Sequence, residues 1–230
     1  MIADAIVPAL DEGPSIGRVV RSIPRPPIRQ VIVIDNGSTD HTASEARAAG
    51  ATVVAEPRRG YGSACLAGIR TLPEDTEIVL FLDGDGSDDP AFASALLAPI
   101  ERGEADFVVG CRATGRAERG SLTLPQRIGN AIAARWLRAR FDLPATDLGP
   151  FRAIRRDRLE SLGMADRDYG WTVEMQIKAA RAGLSYVEVP VPYRRREGRS
   201  KISGTWRGMF GATVKILGSL AWYDFMSRST

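Results

Sequence analysis

The sequence is poor in the residues that build disulfide frameworks and zinc sites. It contains two cysteines, Cys65 and Cys111, in 230 residues, and they do not form a CxxC pair. Isolated cysteines of this kind fit a reduced intracellular protein better than a disulfide or zinc scaffold. The only histidine, His41, stands in a polar turn beside a predicted helix start. We expect His41 to be a surface residue without a catalytic role.

Motifs of several nucleotide-binding and nucleic-acid-binding classes are also missing. There is no Walker A sequence, and Gly60-Tyr-Gly62 is followed by Cys65 where a dinucleotide-binding fingerprint needs glycine. Helix-turn-helix, zinc-finger and interleaved aromatic-basic patterns are absent, so nucleic acid is not an expected partner. Residues 2–10 are apolar but contain an aspartate and a proline, and no basic segment precedes them. That composition does not fit a secretory signal peptide.

Lysine is rare. Of the 31 basic residues only Lys178, Lys201 and Lys215 are lysines, whereas the arginines concentrate at 112–158 and 194–199. In Gly-Arg-Ser-Lys201 a compact ammonium suits a phosphate group, although a lysine retained by chance on a solvated loop would look the same. The net charge is +3. Its uneven distribution favours an anionic substrate or an anionic membrane face.

The chain has the length and the pattern of one large α/β domain. Four runs of strand length are apolar or β-branched and end in polar or glycine-rich turns: 3–10, 31–35, 52–55 and 78–82. Helix-like segments lie between them, at 14–22, 42–49 and 63–71. Thr42-Ala-Ser-Glu45 has the pattern of a capping box. Near-continuous apolar strands separated by helices predict a parallel sheet covered on both faces.

The second half of the chain is less regular. It predicts helices at 127–141, 171–182 and 203–226, a strand followed by a helix at 151–162, and a strand at 186–193. The last helix carries an apolar stripe and is short for a membrane span. We therefore expect it to pack on the domain or lie at a bilayer surface. The predicted division is a domain of residues 1–204 and a C-terminal amphipathic helix of residues 205–230.

Polar turns follow three of the predicted strands. They contain Asp11-Glu12, Asp35-Asn36 and Asp83-Gly84-Asp85. Ligands of open parallel sheets bind at the carboxyl ends of the strands. We therefore expect the three turns to meet at one rim.

The third turn carries the clearest chemical signal. Carboxylates such as Asp83 and Asp85 are suited to Mg²⁺ or Mn²⁺, and Mg²⁺ often binds through one or two carboxylates plus substrate phosphates. The alternative is an acidic turn in which Asp88 or Asp89 caps a helix that begins at Pro90. Capping does not explain why two charges stand directly at the end of a buried strand. An EF-hand loop does not fit, because the twelfth position is not glutamate.

Seven motifs occur in the order found in family 2 glycosyltransferases and cover nearly the whole chain. They are Ile6-Val-Pro-Ala-Leu-Asp-Glu12, Val31-Ile-Val-Ile-Asp-Asn-Gly-Ser-Thr-Asp40, Arg59-Gly-Tyr-Gly62, Asp83-Gly-Asp85, Val109-Gly-Cys-Arg112, Asp147-Leu-Gly-Pro-Phe-Arg152 and the stretch from Arg195 to Ser200-Lys201. The chain resembles in particular the dolichol- and polyprenyl-phosphate sugar synthase branch. The resemblance implies an α/β fold of the GT-A type, which is Rossmann-like and nucleotide-binding. Its mostly parallel mixed sheet carries helices on both faces.

The resemblance also implies roles for individual residues. Donor contacts are implied for Pro8, Glu12, Asp35, Asn36, Gly62, Asp83, Gly84, Asp85, Arg195, Ser200 and Lys201. Metal coordination falls to Asp83 and Asp85, and an anionic acceptor would face Arg112, Arg127 and Arg152. The residues expected to take part in catalysis are Asp85, Asp147 and Lys201.

The expected reaction transfers a sugar from a UDP- or GDP-sugar with inversion at the anomeric carbon, as the family implies. The favoured acceptor is polyprenyl phosphate, which is already an anion and needs no general base, whereas a hydroxyl acceptor needs one. Asp147 is the preferred candidate base and Glu174 the second, although Glu174 and Lys178 also have the spacing of an exposed surface pair.

Transfer to a small soluble acceptor is the main rival function. Nucleotidyl transfer on a similar fold is disfavoured because the Gly-rich, Arg/Lys-bearing opening loop of such enzymes is absent. Asp83, Asp85 and Lys201 argue against an inactive sugar-nucleotide binding module. The expected location is the cytoplasm, with peripheral contact at the inner membrane face, and we also allow for a homo-oligomer.

Overall fold

The computed structural model describes residues 1–115, 117–118 and 120–196. Ser200, Lys201 and the predicted helix of residues 205–230 lie outside the described residues. Within these ranges the strands are β1 (Ala3–Ala9), β2 (Ile28–Asp35), β3 (Thr52–Ala55), β4 (Ile78–Phe81), β5 (Phe107–Cys111), β6 (Arg152–Arg155) and β7 (Tyr186–Pro190). The α-helices are α1 (Gly13–Ser22), α2 (Thr42–Ala48), α3 (Tyr61–Arg70), α4 (Ala93–Glu101), α5 (Leu124–Phe141), α6 (Arg156–Ser161) and α7 (Trp171–Arg181).

The seven strands form one mixed sheet in the order β3-β2-β1-β4-β6-β5-β7. The strands β3, β2, β1 and β4 are parallel to one another, β6 is antiparallel to both of its neighbours, and β7 is parallel to β5. The predicted mostly parallel mixed sheet is therefore confirmed. Its parallel half places the ends of β2, β1 and β4 side by side.

Helices cover both faces of the sheet, as the apolar strands predict. On one face β1 and β2 pack through Val7 and Val33 against α1 and α4. On the other face Ile6 and Ile34 join a cluster with α3 and α7, in which Trp171 is buried. A third cluster packs α5 against α7. Because both faces are buried, the polar groups of the parallel strands are concentrated in the turns at their ends.

Several predicted boundaries and one predicted cap differ from the structure. Strand β2 and helix α5 each begin three residues earlier than expected, and β5 was not predicted. The Thr42–Glu45 capping box is wrong, because Thr42 is the first helical residue and the N-cap is His41 without a side-chain cap. A complete capping box instead joins Thr123 and Gln126 at the start of α5. The exposed position of His41 is as expected.

None of the helices in the part of the chain that the structure describes combines the length and the apolar character that crossing a bilayer requires.

Candidate active site

The three polar turns meet at the carboxyl end of the sheet. The Asp11 N–H donates to Ser38 Oγ over 2.9 Å, and the Thr39 N–H donates back to Asp11 Oδ1 over 2.7 Å. From α1, Ser15 Oγ donates to the Gly84 carbonyl over 2.8 Å. The turn after β1 is thus hydrogen-bonded to the turn after β2, and α1 is bonded to the turn after β4. The expected rim is present, and hydrogen bonds connect its turns.

Two carboxylates stand on this rim directly after β4. Asp85 is buried, and its Oδ1 accepts hydrogen bonds from the Ser87 N–H at 2.9 Å and the Ser87 hydroxyl at 2.5 Å. Asp83 Oδ1 is buried and has no hydrogen-bond partner. Burial, followed by the charge of Asp85, raises the pKa of Asp83 to about 7. A hydrogen bond with Tyr61 lowers the pKa of Asp83 but does not outweigh burial, so the oxygen without a partner still favours a bound proton or cation.

An arginine already lies beside these carboxylates. Arg196 Nη2 is 2.6 Å from Glu12 Oε1 and 3.4 Å from Asp85 Oδ2. Its Nε is buried without a hydrogen-bond partner. The guanidinium therefore supplies positive charge between the turn after β1 and the turn after β4. The negative charge of the rim is therefore partly balanced by this side chain.

The rim forms one wall of a cavity of about 490 Å³. That volume lies within the range of about 300–1,000 Å³ that is typical of small-molecule sites. The residues that line it are Pro8, Ala9, Leu10, Glu12, Asn36, Arg59, Gly60, Tyr61, Ala64, Asp83, Gly84, Asp85, Asp168, Tyr169 and Arg196. The structure thus brings together six of the predicted donor residues: Pro8, Glu12, Asn36, Asp83, Gly84 and Asp85.

The predicted donor residues Asp35 and Asn36 hold the turns around the cavity. Asp35 Oδ1 accepts from the Ser38 N–H over 2.9 Å. The Asn36 amide donates to the carbonyls of Glu56 and Arg58, and its oxygen accepts from the Gly60 N–H over 2.8 Å. Asn36 therefore fixes the segment that leads into α3.

Gly62, a predicted donor contact, is not among the residues that line the cavity. A Cβ at this position would lie 2.1 Å from the Asp166 carbonyl oxygen. The Gly62 N–H donates to the Asp168 carbonyl over 3.3 Å, and the Ser63 N–H donates to the Arg167 carbonyl over 2.9 Å. The glycine lets the loop of residues 165–170 pack against the start of α3. That loop in turn carries Asp168 to the cavity wall.

This packing predicts that Gly62→Ala lowers stability by about 1–3 kcal/mol, because the added methyl group cannot fit without moving backbone. The matched control is Gly129→Ala in α5, where a Cβ meets nothing within 4 Å. In a helix the control should stabilise by about 0.5–1 kcal/mol. Chemical denaturation of both variants measures the effect. Equal stability of the Gly62 variant and the wild type would show that the loop does not depend on this glycine.

Glu174 of α7 holds the loop of residues 165–170 through hydrogen bonds. Its carboxylate accepts the N–H groups of Ala165 and Asp166 at distances of 2.8–3.2 Å. Lys178 Nζ lies 2.8 Å from Glu174 Oε1, so the pair with i, i+4 spacing forms. The exposed position considered for Glu174 is wrong, because only 1% of the residue is exposed. Its oxygens are occupied in positioning the loop, which does not favour a role as general base.

The predicted acceptor residue Arg112 and the predicted base Asp147 form an ion pair in which Asp147 is buried and Arg112 is largely buried. Arg112 Nε and Nη2 donate to the two Asp147 oxygens over 3.0 and 2.6 Å, and the Arg112 N–H adds a third bond of 2.6 Å. The guanidinium also lies 4.9 Å from the centre of the Tyr193 ring. Burial raises the pKa of Asp147, but the attraction and hydrogen bonds of Arg112 outweigh burial and hold it below its ordinary value. Asp147 is therefore a poor proton acceptor, and it orients Arg112.

The other predicted cationic residues lie in different environments. Arg127 is exposed in the first turn of α5. Arg152 is 1% exposed and donates to backbone carbonyls, among them Gly149 and Thr172, so it is not available to an acceptor in this structure. Arg195 has a side chain that is 66% exposed and that pairs with Glu118. Its neighbour Arg196 is the residue that reaches the cavity.

The acidic turn also contains the cap that the alternative reading expected. Asp89 precedes a short 3₁₀-helix, Pro90–Phe92, and accepts the Ala91 N–H over 3.2 Å. Asp88 is 2% exposed and neither of its oxygens has a hydrogen-bond partner. Capping thus accounts for Asp89 alone, and it leaves Asp83 and Asp85 for another use.

The cavity contains residues that sequence reasoning missed, chiefly Arg59, Tyr61, Asp168, Tyr169 and Arg196. Arg59 and Tyr61 lie within the motif Arg59-Gly-Tyr-Gly62, so that motif could have indicated that they line the site. Asp168 and Tyr169 precede α7 in a polar segment without a recognisable motif. For Arg196 the run of three arginines at 194–196 gave no indication of which one points inward.

Comparisons with known proteins agree with this geometry. An uncharacterized glycosyltransferase of Mycobacterium bovis is 42% identical over 214 residues, which are 90% of this chain and 94% of the relative. The undecaprenyl-phosphate mannosyltransferase of Micrococcus luteus is 30% identical over 91% of this chain and 89% of its own length.

A solved structure with bound ligands is similar to this chain in fold. The glucosyl-3-phosphoglycerate synthase of Mycobacterium tuberculosis superimposes with a TM-score of 0.78 at 25% identity, over 96% of this chain and 79% of the synthase. That structure contains Mn²⁺, UDP and glucosyl-3-phosphoglycerate, and another structure of the synthase contains Mg²⁺ and UDP. Together with the mixed sheet observed here, this similarity confirms the predicted GT-A fold.

The model of the family described as glycosyl transferase family 2 matches residues 4–163, which is more than half of the chain. With the order of the motifs, the rim of carboxylates and the relatives in agreement, the chain belongs to glycosyltransferase family 2.

Proposed function

We propose that the protein transfers a sugar from a nucleotide diphosphate donor to an anionic acceptor, with a divalent cation at Asp83 and Asp85. The observation that carries the proposal is the placement of these two carboxylates on the wall of the cavity at the strand ends. One of them has a buried oxygen without a hydrogen-bond partner. The family and the cavity together make a sugar nucleotide the ligand that fits best.

The residues at the rim fit Mg²⁺ or Mn²⁺. Two carboxylates are a sufficient protein contribution for such an ion when diphosphate oxygens and water complete its shell. Ser87 fixes the orientation of Asp85, while Asp83 Oδ1 remains without a partner. When bound, the cation neutralises the charge that develops on the diphosphate leaving group. The ligands of the similar synthase support this choice of metals.

Arg196 is the protein's own cation at the leaving group. In this structure it pairs with Glu12 and Asp85, so donor binding must exchange at least one of these partners for phosphate. After that exchange its guanidinium can donate to the diphosphate in a fork geometry. Arg196 thereby takes the position that the sequence assigned to Arg195, and Ser200 and Lys201 remain proposed donor contacts.

The favoured acceptor is polyprenyl phosphate. Arg112 offers a buried, oriented guanidinium, and the two candidate bases are engaged in hydrogen bonds to protein groups. A phosphate oxygen is already an anion, so it can attack the anomeric carbon without a general base, and inversion follows from one direct displacement. The activity named for the Micrococcus luteus relative supports a lipid phosphate.

A small soluble acceptor is the second candidate. It is favoured by the similar synthase structure, which contains glucosyl-3-phosphoglycerate. A hydroxyl acceptor needs a base within reach of the cavity, and Asp168 lines the cavity and is not one of the two proposed metal ligands.

Asp168→Asn separates the two acceptors. With polyprenyl phosphate we expect the transfer rate to fall by less than about tenfold, because no proton has to be removed from a phosphate oxygen. The backbone bonds of this residue to Asp166 and Gly62 are kept by asparagine. A loss of about 10²–10⁴ in transfer to a hydroxyl acceptor would instead identify Asp168 as a general base. Steady-state rates with each acceptor distinguish the outcomes.

The donor part of the proposal is tested by thermal unfolding with UDP- and GDP-sugars, each with and without Mn²⁺. We expect one nucleotide series to stabilise the protein, and only in the presence of the metal. Stabilisation without transfer to either acceptor would favour an inactive binding module. No stabilisation by any sugar nucleotide would contradict the proposal.

A further inference from the structure

Helix α5 presents a row of large apolar side chains to solvent. Leu124 is 67% exposed, Ile128 51% and Ile132 48%. The spacing of four residues places them on one face of the helix. Among the residues that the structure describes, the remaining exposed large apolar side chain is that of Met1 at the terminus. Exposed apolar surface is thus concentrated on one helix, which is typical of an interaction site.

The same helix is strongly basic. It carries Arg127, Arg135, Arg138 and Arg140 and no aspartate or glutamate. All four arginines are exposed. At 100° per residue Arg135 projects between Leu124 and Ile128, and Arg127 and Arg138 border the row on one side. An apolar row among arginines fits a surface that offers both hydrocarbon and negative charge.

The buried side of α5 contacts the segment that contains Asp147, which orients the proposed acceptor residue Arg112. Ala133 and Leu137 pack in the cluster with α7. Asn130 Nδ2 donates to the Thr146 carbonyl over 3.2 Å, and Asn130 Oδ1 accepts the Leu148 N–H over 2.9 Å. Asp147, the partner of Arg112, lies between these two anchor points. One helix therefore joins the apolar row to the segment that orients Arg112.

We propose that the row Leu124–Ile128–Ile132 of α5 docks on the surface of an anionic membrane. Docking seats the apolar side chains at the headgroup boundary and brings the Arg112 side of the site toward lipid phosphate. The choice of a lipid acceptor rests on the proposed function, whereas the docking itself requires no catalysis. The expected occupant is thus the lipid surface that contains the acceptor.

Charge disfavours docking of the row on a second copy of this chain or on the chain's own C-terminal segment. In a symmetric dimer the same patch meets itself, so the arginines of α5 would face those of the second copy. The segment of this chain after residue 196 contains five basic and two acidic residues, so it is also positively charged. A membrane with anionic lipids complements the surface in both charge and apolar character.

The test is co-sedimentation of the full chain with vesicles of phosphatidylcholine, with and without phosphatidylglycerol. We expect binding to the vesicles that contain phosphatidylglycerol and weakening of that binding by salt. The triple variant Leu124→Ser, Ile128→Ser, Ile132→Ser should bind them at least about tenfold more weakly. Its melting temperature should fall only slightly, and its Mn²⁺-dependent donor binding should match the wild type, because about half or more of each side chain is exposed.

The matched control replaces two arginines away from α5, Arg102→Gln and Arg155→Gln, and should retain wild-type vesicle binding. Wild-type binding by the triple variant would overturn the proposal. So would a dimer in solution that this variant converts to monomer, which would identify the row as a protein interface. Loss of vesicle binding with intact donor binding leaves the proposed glycosyl transfer standing. Absence of donor binding with intact docking removes only the proposed function.

Discussion

Asp85→Asn should abolish metal-dependent binding of the sugar nucleotide. Asparagine keeps the shape of the side chain, and its oxygen can still accept from the Ser87 N–H and hydroxyl, so the turn after β4 stays in place. What is lost is the negative charge toward the cation and toward Arg196. Changes outside the direct ligands already weaken metal sites by about 10–100-fold, so loss of a ligand charge should cost more than about a hundredfold.

Titration calorimetry with donor and Mn²⁺ measures this effect. The matched control is Asp157→Asn, an exposed carboxylate in the first turn of α6 whose loss should leave donor affinity unchanged. The melting temperature without ligand should not fall in the Asp85 variant, because the repulsion between Asp85 and Asp83 is removed while Arg196 keeps its pair with Glu12. Donor affinity within twofold of the wild type would eliminate Asp85 as a metal ligand.

Arg112→Lys should impair use of the acceptor while sparing the donor. Lysine keeps the charge but cannot reproduce the two side-chain bonds from Nε and Nη2 to Asp147 or the contact of the guanidinium with the Tyr193 ring. Hydrogen bonds to charged groups contribute about 1.5–3 kcal/mol each. Losing the orientation that they provide should lower kcat/KM for the acceptor by about a hundredfold, since 1.4 kcal/mol corresponds to about tenfold.

Two comparisons show whether Arg112 acts on the acceptor. Arg102→Lys, at an exposed pair with Glu104, controls for the exchange of an arginine and should have no effect. Asp147→Asn should reproduce the acceptor defect with an unchanged pH profile, because Asp147 orients Arg112 and transfers no proton in this account. An equal loss of donor affinity and melting temperature in Arg112→Lys would mark the pair as structural.

The sequence predicted those features that depend on periodicity and on the ends of strands. Apolar runs separated by helical segments identified β1 to β4, and the polar turns after three of them converge as expected because parallel strands share one carboxyl edge. Asp83 and Asp85 could be singled out because two charges at the end of a buried strand need a partner. The mixed sheet followed from the family resemblance and not from the periodicity.

Features that depend on packing between distant segments were not predictable. Gly62 looked like a donor contact, but only the position of the loop at 165–170 shows that its missing Cβ makes room for a carbonyl. Arg152 looked like an acceptor residue until its guanidinium proved to be buried among backbone carbonyls. In the arginine run, direction is set by the pairing of Arg195 with Glu118 and of Arg196 with Glu12.

The most direct test is a crystal structure with the stabilising sugar nucleotide and Mn²⁺, recorded at a wavelength where manganese scatters anomalously. The account predicts one strong anomalous peak between Asp83, Asp85 and the diphosphate, with Arg196 released from at least one of its present carboxylate partners. A nucleotide bound elsewhere, or bound in this cavity with no manganese at the two aspartates, would contradict it.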